Sequence, residues 1–123
     1  MEKSPFSPDE ALAVAYLIWS LICSDEQLST NESLYFQQTI QYLGLTPALF
    51  ERQLSKPEED AYAVIVKMSA RKRSHCATLL RLAYQSDEVV DRVELRTLNE
   101  ILIRAELFRT DGAKRIPDDN ILL

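Results

Sequence analysis

The nine residues SDEQLSTNE, Ser24 to Glu32, decide the fold, because a close copy, SDEVVDRVE, stands at Ser86 to Glu94. Each copy begins with Ser-Asp-Glu at the end of an apolar stretch with helical spacing, and each ends on a glutamate that opens the next such stretch. Turns of this kind join two helices, and a repeat of the whole pattern indicates a duplicated helix-turn-helix unit. The two segments therefore predict an all-α fold.

The composition of the chain favours a single helical domain. Of its 123 residues, 46% are hydrophobic and 27% are charged, which is ordinary for a globular domain with one core. With only 2 glycines and 5 prolines, the chain favours long helices over strands and turns. We expect a compact bundle of about six helices over residues 1–108 and an irregular tail over residues 109–123.

The net charge and the length of the apolar run indicate which classes of partner to expect. A formal net charge of −5 argues against a nucleic-acid binder, since affinity for a phosphate backbone depends on a basic surface. The uncharged run Ala11–Cys23 has 13 residues, fewer than the roughly 20 that span a bilayer. We therefore expect a protein partner, which includes a second copy in a homodimer, and no nucleic acid and no membrane span.

The cysteines and the first residues predict the compartment. Cys23 and Cys76 lie inside apolar helical patterns and are too far apart in sequence for a Cys-x-x-Cys metal site, so we interpret them as buried thiols in a reducing environment. The acidic residues Glu2, Asp9 and Glu10 do not fit a signal peptide. The expected location is the cytoplasm.

Capping patterns predict where the first three helices begin. Ser7-Pro8-Asp9-Glu10 and Ser29-Thr30-Asn31-Glu32 are capping boxes, in which the serine and the glutamate satisfy each other's backbone N–H groups. They open a first helix from Pro8 to about Cys23 and a second that ends near Leu43, where Gly44 suits a left-handed residue. Pro47 starts a short third helix.

The second half of the chain carries three further helix starts. Ser55-Lys56-Pro57-Glu58 predicts the cap of a fourth helix that reaches about Met68, and a fifth helix runs from near Ser69 to the second acidic turn. Asp91-Arg92-Val93-Glu94 opens a sixth helix that ends near Leu107.

The two halves align at an offset of 62 residues. This offset pairs the acidic residues and also repeats the hydrophobic frame, since it aligns Ile18 with Leu80 and Phe36 with Leu98. Duplicated helix pairs can pack about a pseudo-two-fold axis, which would bring both acidic turns to one end of the bundle.

The chain resembles the TerB-like domain in a pattern that it contains twice. This pattern is an apolar helix, an acidic turn with a glutamate seven residues after its aspartate, and a second apolar helix. This family is found in tellurite-resistance proteins and at the front of the DjlA co-chaperone. Both halves keep the spacing of seven, from Asp25 to Glu32 and from Asp87 to Glu94. Where the family commonly has glycine after the aspartate, this chain has glutamate.

The resemblance implies that the acidic residues bind a divalent cation such as Ca²⁺, Mg²⁺ or Mn²⁺, for which carboxylate oxygens are suitable ligands. By position, the candidate ligands are Asp25, Glu26, Glu32, Asp87, Glu88 and Glu94. The competing interpretation is that the two later glutamates complete capping boxes and that the aspartates bond turn N–H groups. Neither loop is an EF-hand, since each lacks the ligand series and the glycine of that motif.

Two further features have alternative interpretations. His75, the one histidine, can be a half-exposed helical residue or, given a partner, a base or ligand. The basic run Arg71-Lys72-Arg73 can be a solvated face or a site for an anion or an acidic partner.

Motifs for catalysis are missing from the sequence. It contains no nucleophile elbow, Gly-rich phosphate loop or zinc pattern. We therefore expect a non-catalytic interaction or sensing module, of the kind that the TerB resemblance connects with stress and tellurite resistance. The alternative is a carboxylate-based metal-dependent enzyme, which would need the acidic residues to converge on one ion.

Overall fold

The computed structural model describes residues 4–24, 29–86 and 92–107, and within them the chain is helical with no strands. The helices are α1 (Pro8–Ile22), α2 (Thr30–Tyr42), α3 (Pro47–Leu54), α4 (Glu58–Val66), α5 (Ala70–Gln85) and α6 (Arg92–Arg104). The predicted all-α bundle of six helices is confirmed. The predicted tail over 109–123 and the Asp91 cap lie outside the described residues.

Helix α1 is the centre of the bundle and contacts each of the other five helices. Its apolar side chains point in every direction, and the sequence places no charge among them after Glu10. A helix that is hydrophobic all round is stable only when neighbours cover it on all sides. The members of α1 that are at most 1% exposed are Ala11, Ala13, Val14, Ala15, Leu17, Ile18, Leu21 and Ile22.

Local sequence signals begin most of the helices as expected. The capping boxes at Ser7 and Ser29 are both complete, with the serine accepting from the N–H of the glutamate and the glutamate accepting from the N–H of the serine. The predicted cap of α4 is wrong. Pro57 is the N-cap of α4 and makes no side-chain cap bond, because the Ser55 hydroxyl donates to the Arg52 carbonyl at the end of α3.

Helices α2 and α5 lie antiparallel, as two contacts at different heights show. The Tyr35 hydroxyl, near the start of α2, donates to the Leu79 carbonyl over 2.9 Å. At the last residue of α2, the Tyr42 hydroxyl is 2.8 Å from Nε2 of His75, which precedes Leu79 in α5. The start of α2 therefore lies toward the end of α5.

Helices α1 and α5 run in the same direction. Near their first turns, Lys72 Nζ of α5 is 2.8 Å from a carboxylate oxygen of Glu10 in α1. Further along α1, Trp19 packs on Phe36 of α2 with ring centroids 4.9 Å apart, beside the tyrosine that bonds Leu79. Both helices therefore run from the level of the Glu10–Lys72 pair to the level of Tyr35 in α2. The ends of α1 and α5 thus lie at the same end of the bundle.

The ends of the two helix pairs repeat the same local geometry at the offset of 62 residues. Gly44, after α2, has φ of 75°, and Glu106, after α6, has φ of 58°. Around both positions the backbone closes with matching hydrogen bonds, from Leu45 N–H to Ile40 O and from Leu107 N–H to Leu102 O. The serines that begin the two turns match as well, since each hydroxyl donates to the carbonyl three residues earlier, Ser24 to Leu21 and Ser86 to Ala83. The pseudo-two-fold axis itself stays a prediction.

No helix in the described ranges has both the length and the apolar character required to traverse a bilayer.

Candidate functional site

Glu32 is a fully buried glutamate at the first turn of α2. Its carboxylate accepts from the Ser29 N–H over 3.2 Å through Oε1, and its own N–H donates to the Ser29 hydroxyl over 3.0 Å. Its relative exposure is 0%. The sequence predicts the cap correctly, but a cap by itself does not need a buried glutamate.

The capping box on α1 shows that a capping glutamate can remain partly exposed. Glu10 also completes a capping box, yet its side chain keeps 19% exposure and pairs with Lys72. The hydrogen bond from Lys72 lowers the pKa of Glu10 below its ordinary value, and the Ser7 N–H adds to this effect. Glu10 is thus a cap at the surface with a cation beside it, whereas Glu32 is a cap inside the protein.

The second oxygen of Glu32 distinguishes it further. Oε2 is buried and has no hydrogen-bond partner among the described residues. Burial of a carboxylate oxygen without a partner is costly, so such atoms in folded proteins usually face a water, an ion or a functional ligand. The capping role therefore does not by itself explain the environment of Glu32.

Glu94 occupies the equivalent position on α6. It is 1% exposed, which makes the two glutamates the only charged side chains that are buried in the described part of the chain. Because α1 and α5 run parallel, the helices that follow them, α2 and α6, begin at the same end of the bundle. The structure thus places Glu32 and Glu94 in equivalent buried positions at that end.

The other four predicted ligands, Asp25, Glu26, Asp87 and Glu88, lie outside the described residues. Within the described ranges, no group of three or more His, Cys, Asp or Glu side chains is close enough to hold a metal ion. The described chain therefore offers Glu32 and Glu94 as individual carboxylates, and the six-residue site stays a prediction.

His75 has partners that the sequence did not identify. Its ring stacks on Phe6 at 5.4 Å between centroids and bonds the Tyr42 hydroxyl through Nε2. His75 is half-buried, as expected for the first alternative, a half-exposed helical residue. Phe6 is 8% exposed, so the ring stack fixes the segment before α1 onto α5. These contacts assign His75 a structural position and leave it away from the buried glutamates.

The basic run at the start of α5 is not one uniform face. Arg71 is exposed, Arg73 is half-buried, and Lys72 is engaged with Glu10. The Lys72 pair ties α5 to α1, which the sequence did not predict because the two residues are 62 positions apart.

Comparison of the chain with models of protein families, with curated proteins and with solved structures finds no match. The resemblance to the TerB-like domain thus stays a prediction from the paired acidic turns.

Proposed function

We propose that this protein is a non-catalytic, TerB-like interaction or sensing module, and that the end of the bundle where α2 and α6 begin binds a divalent cation with modest affinity or presents its carboxylates to a protein partner. The buried Oε2 of Glu32, which has no hydrogen-bond partner among the described residues, is the observation that carries this proposal. A cation at this end would offset the cost of burying that oxygen.

The chemistry of the donors defines the class of cation. The candidate ligands are all carboxylates, and hard oxygen ligands suit Ca²⁺, Mg²⁺ and Mn²⁺ better than softer metals. The chain has one histidine, and His75 is engaged with Tyr42. Buried Cys76 lies inside the core rather than at a helix start. These facts support an oxygen-only site over a zinc site.

The location that fits this proposal is the cytoplasm. Cys23 and Cys76 are thiols and not a disulfide, which suits a reducing compartment. Homodimer formation stays part of the proposal, as one form that a protein partner can take.

A thermal-shift titration tests the cation. An ion that binds only the folded protein raises its stability by about 2.7 kcal/mol at a concentration 100 times its dissociation constant. We expect Tm to rise with Ca²⁺, Mg²⁺ or Mn²⁺. Glu32→Gln keeps an oxygen for the Ser29 N–H but removes the charge, so its Tm should not respond to the cation.

The structure offers a matched control in Glu10→Gln, which alters the same capping motif on α1 and should leave the cation response intact. Asp25→Asn combined with Asp87→Asn tests the acidic turns themselves. A wild-type Tm that none of the cations moves would rule out the ion, as would an undiminished response in Glu32→Gln.

A further inference from the structure

A cavity of about 310 Å³ opens between α1, α3 and α4, in the first half of α1. Its inner wall includes Ala13 and Ala61, both 1% exposed. Small-molecule sites in proteins begin at about this volume and combine an apolar wall with a few polar groups. The cavity lies at the opposite end of α1 from Glu32 and Glu94, so it does not depend on the proposed cation site.

Gln53 is the polar group inside this cavity. It is 6% exposed and lines the cavity from α3. Its side-chain amide makes no hydrogen bond to the described part of the chain, whereas its backbone carbonyl accepts from the N–H groups of Ser55 and Lys56. Gln53 is not one of the residues with a fully buried, unpartnered polar atom, so its amide is open to the cavity. A polar occupant of the cavity can therefore bond this amide.

Charged side chains of both signs line the exposed part of the same cavity. They are Asp9 from α1, Asp60 from α4 and Lys56 from the loop between α3 and α4. The salt bridges among the described residues join other groups, namely Lys72 with Glu10 and Arg104 with Glu58 and Glu59. Two carboxylates and one ammonium therefore face the cavity without being paired to each other.

We propose that this cavity binds a free α-amino acid, and that it prefers basic amino acids to acidic ones. Asp9 and Asp60 attract the ammonium groups of the ligand. Lys56 attracts its carboxylate, to which the Gln53 amide can donate a hydrogen bond. The aliphatic part of the ligand packs on exposed Ala63 and half-buried Val64, which also line the cavity. The surplus of one carboxylate over ammonium in the wall favours a ligand with a net positive charge.

The binding test uses ¹H–¹⁵N correlation spectra of the full-length protein, titrated with L-lysine, L-arginine, L-alanine and L-glutamate. Putrescine and acetate, which carry only one kind of charge, are the reference probes. We expect saturable shifts at Lys56, Ala61 and Ala63 with the basic amino acids, weaker binding of L-alanine, and at least tenfold weaker binding of L-glutamate. No saturable shift with any amino acid overturns the proposal, and so does equal binding of putrescine and L-lysine.

Three variants test the wall of the cavity. Lys56→Met should weaken binding of L-lysine at least tenfold, whereas Lys67→Met, an exposed lysine outside the cavity, should not change it. Ala63→Trp places a large side chain at an exposed lining position and should abolish binding without disturbing the core. Undiminished binding in both cavity variants overturns the proposal.

Gln53→Leu separates a ligand role from a structural one. If the amide serves the ligand, the variant loses binding while its Tm in the absence of ligand does not fall, since the amide makes no hydrogen bond within the described part of the chain. A lower Tm together with unchanged binding would show that the amide supports the fold and would contradict the proposal.

Discussion

Glu106 adopts a left-handed backbone, with φ of 58°, at the position where the first helix pair has Gly44 with φ of 75°. A side chain in this conformation brings Cβ close to the neighbouring carbonyl, a contact that glycine avoids. The structure nevertheless keeps Glu106 there, because the bond from Leu107 N–H to the Leu102 carbonyl closes the end of α6 over 2.8 Å. The second helix pair thus ends with the same left-handed residue as the first, but that residue is glutamate and not glycine.

This comparison predicts that Glu106→Gly stabilises the protein by about 1 kcal/mol, which corresponds to a rise in Tm of about 4 °C. The reverse change, Gly44→Ala, should destabilise it by a similar amount. Nothing lies within 4 Å of a Cβ built at Gly44, so only backbone strain acts there. Thermal and urea unfolding of both variants measure the effect. If Glu106→Gly is neutral or destabilising, the left-handed geometry is not strained.

Cys76 gives a second prediction for a single residue. Burial raises the pKa of its thiol to about 12. At pH 8 its thiolate fraction should therefore be about a thousandfold below that of an ordinary cysteine. We expect a disulfide reagent to modify half-buried Cys23 in the native protein and to reach Cys76 only at the rate of unfolding. Cys76→Ala should leave the fast phase unchanged, and equal rates for both thiols would contradict this assignment.

At the scale of elements, the first turns of α1 and α5 are joined by Glu10 and Lys72. The lowered pKa of Glu10 means that the pair contributes stability above about pH 4.3, the ordinary value for glutamate, and that this contribution is lost as the pH falls through the lowered pKa. Because both side chains retain some exposure, the contribution should be about 0.2–1 kcal/mol.

Lys72→Met should therefore lower the free energy of unfolding at pH 7 and have less effect at an acidic pH below the lowered pKa of Glu10, where Glu10 is protonated. Urea unfolding at the two pH values measures this difference. Arg71→Met is the matched control, since Arg71 is an exposed cation one residue away. A loss in Lys72→Met that is the same at both pH values would mean that the side chain acts by packing and not by charge.

The helix starts also show which parts of the fold the sequence predicts. The caps at Ser7 and Ser29 are local, so their residue types and spacing suffice to identify them. Ser55 has the same local appearance but serves the preceding helix, since its hydroxyl bonds Arg52. A choice between the end of one helix and the start of the next depends on how α3 and α4 pack, which no short segment encodes.

Some features of the candidate site are likewise predicted by the local sequence, and others appear only in the packed structure. The repeated spacing identifies Glu32 and Glu94 as a matched pair and predicts that each begins a helix. Their burial at 0% and 1% exposure is a property of the packed helices, which the local sequence around each glutamate does not encode. Gln53 has no sequence signal at all, since a glutamine in a short polar helix is typical of a surface. Only the packed structure distinguishes it from its exposed neighbours.

At the scale of the whole molecule, the two halves share one core. Helix α1 belongs to the first helix pair but packs more extensively on α4, which lies between the two pairs, and on α5 of the second pair than on α2, its own partner. Ile18 and Leu80, which the offset of 62 residues pairs, are both 0% exposed. The two helix pairs therefore form one folded unit, and the duplication stays a prediction.

A fragment of residues 1–56 should accordingly be unfolded by itself, because it exposes the faces of α1 that α4 and α5 cover. Circular dichroism of the fragment should show little helix and no cooperative melting, whereas the full chain should melt in one transition. Mixing the fragment with residues 57–123 should restore helix content. A cooperative transition in the isolated fragment would mean that each half has its own core.

The central position of α1 has a consequence for how the protein is made. The ribosome synthesises Glu10 of α1 first, and Lys72 of α5 follows 62 residues later. At synthesis rates of about 5–20 residues per second, the most apolar helix of the chain waits roughly 3–12 s for the helix that covers it. During that interval we expect α1 to be accessible to chaperones that bind nascent apolar segments.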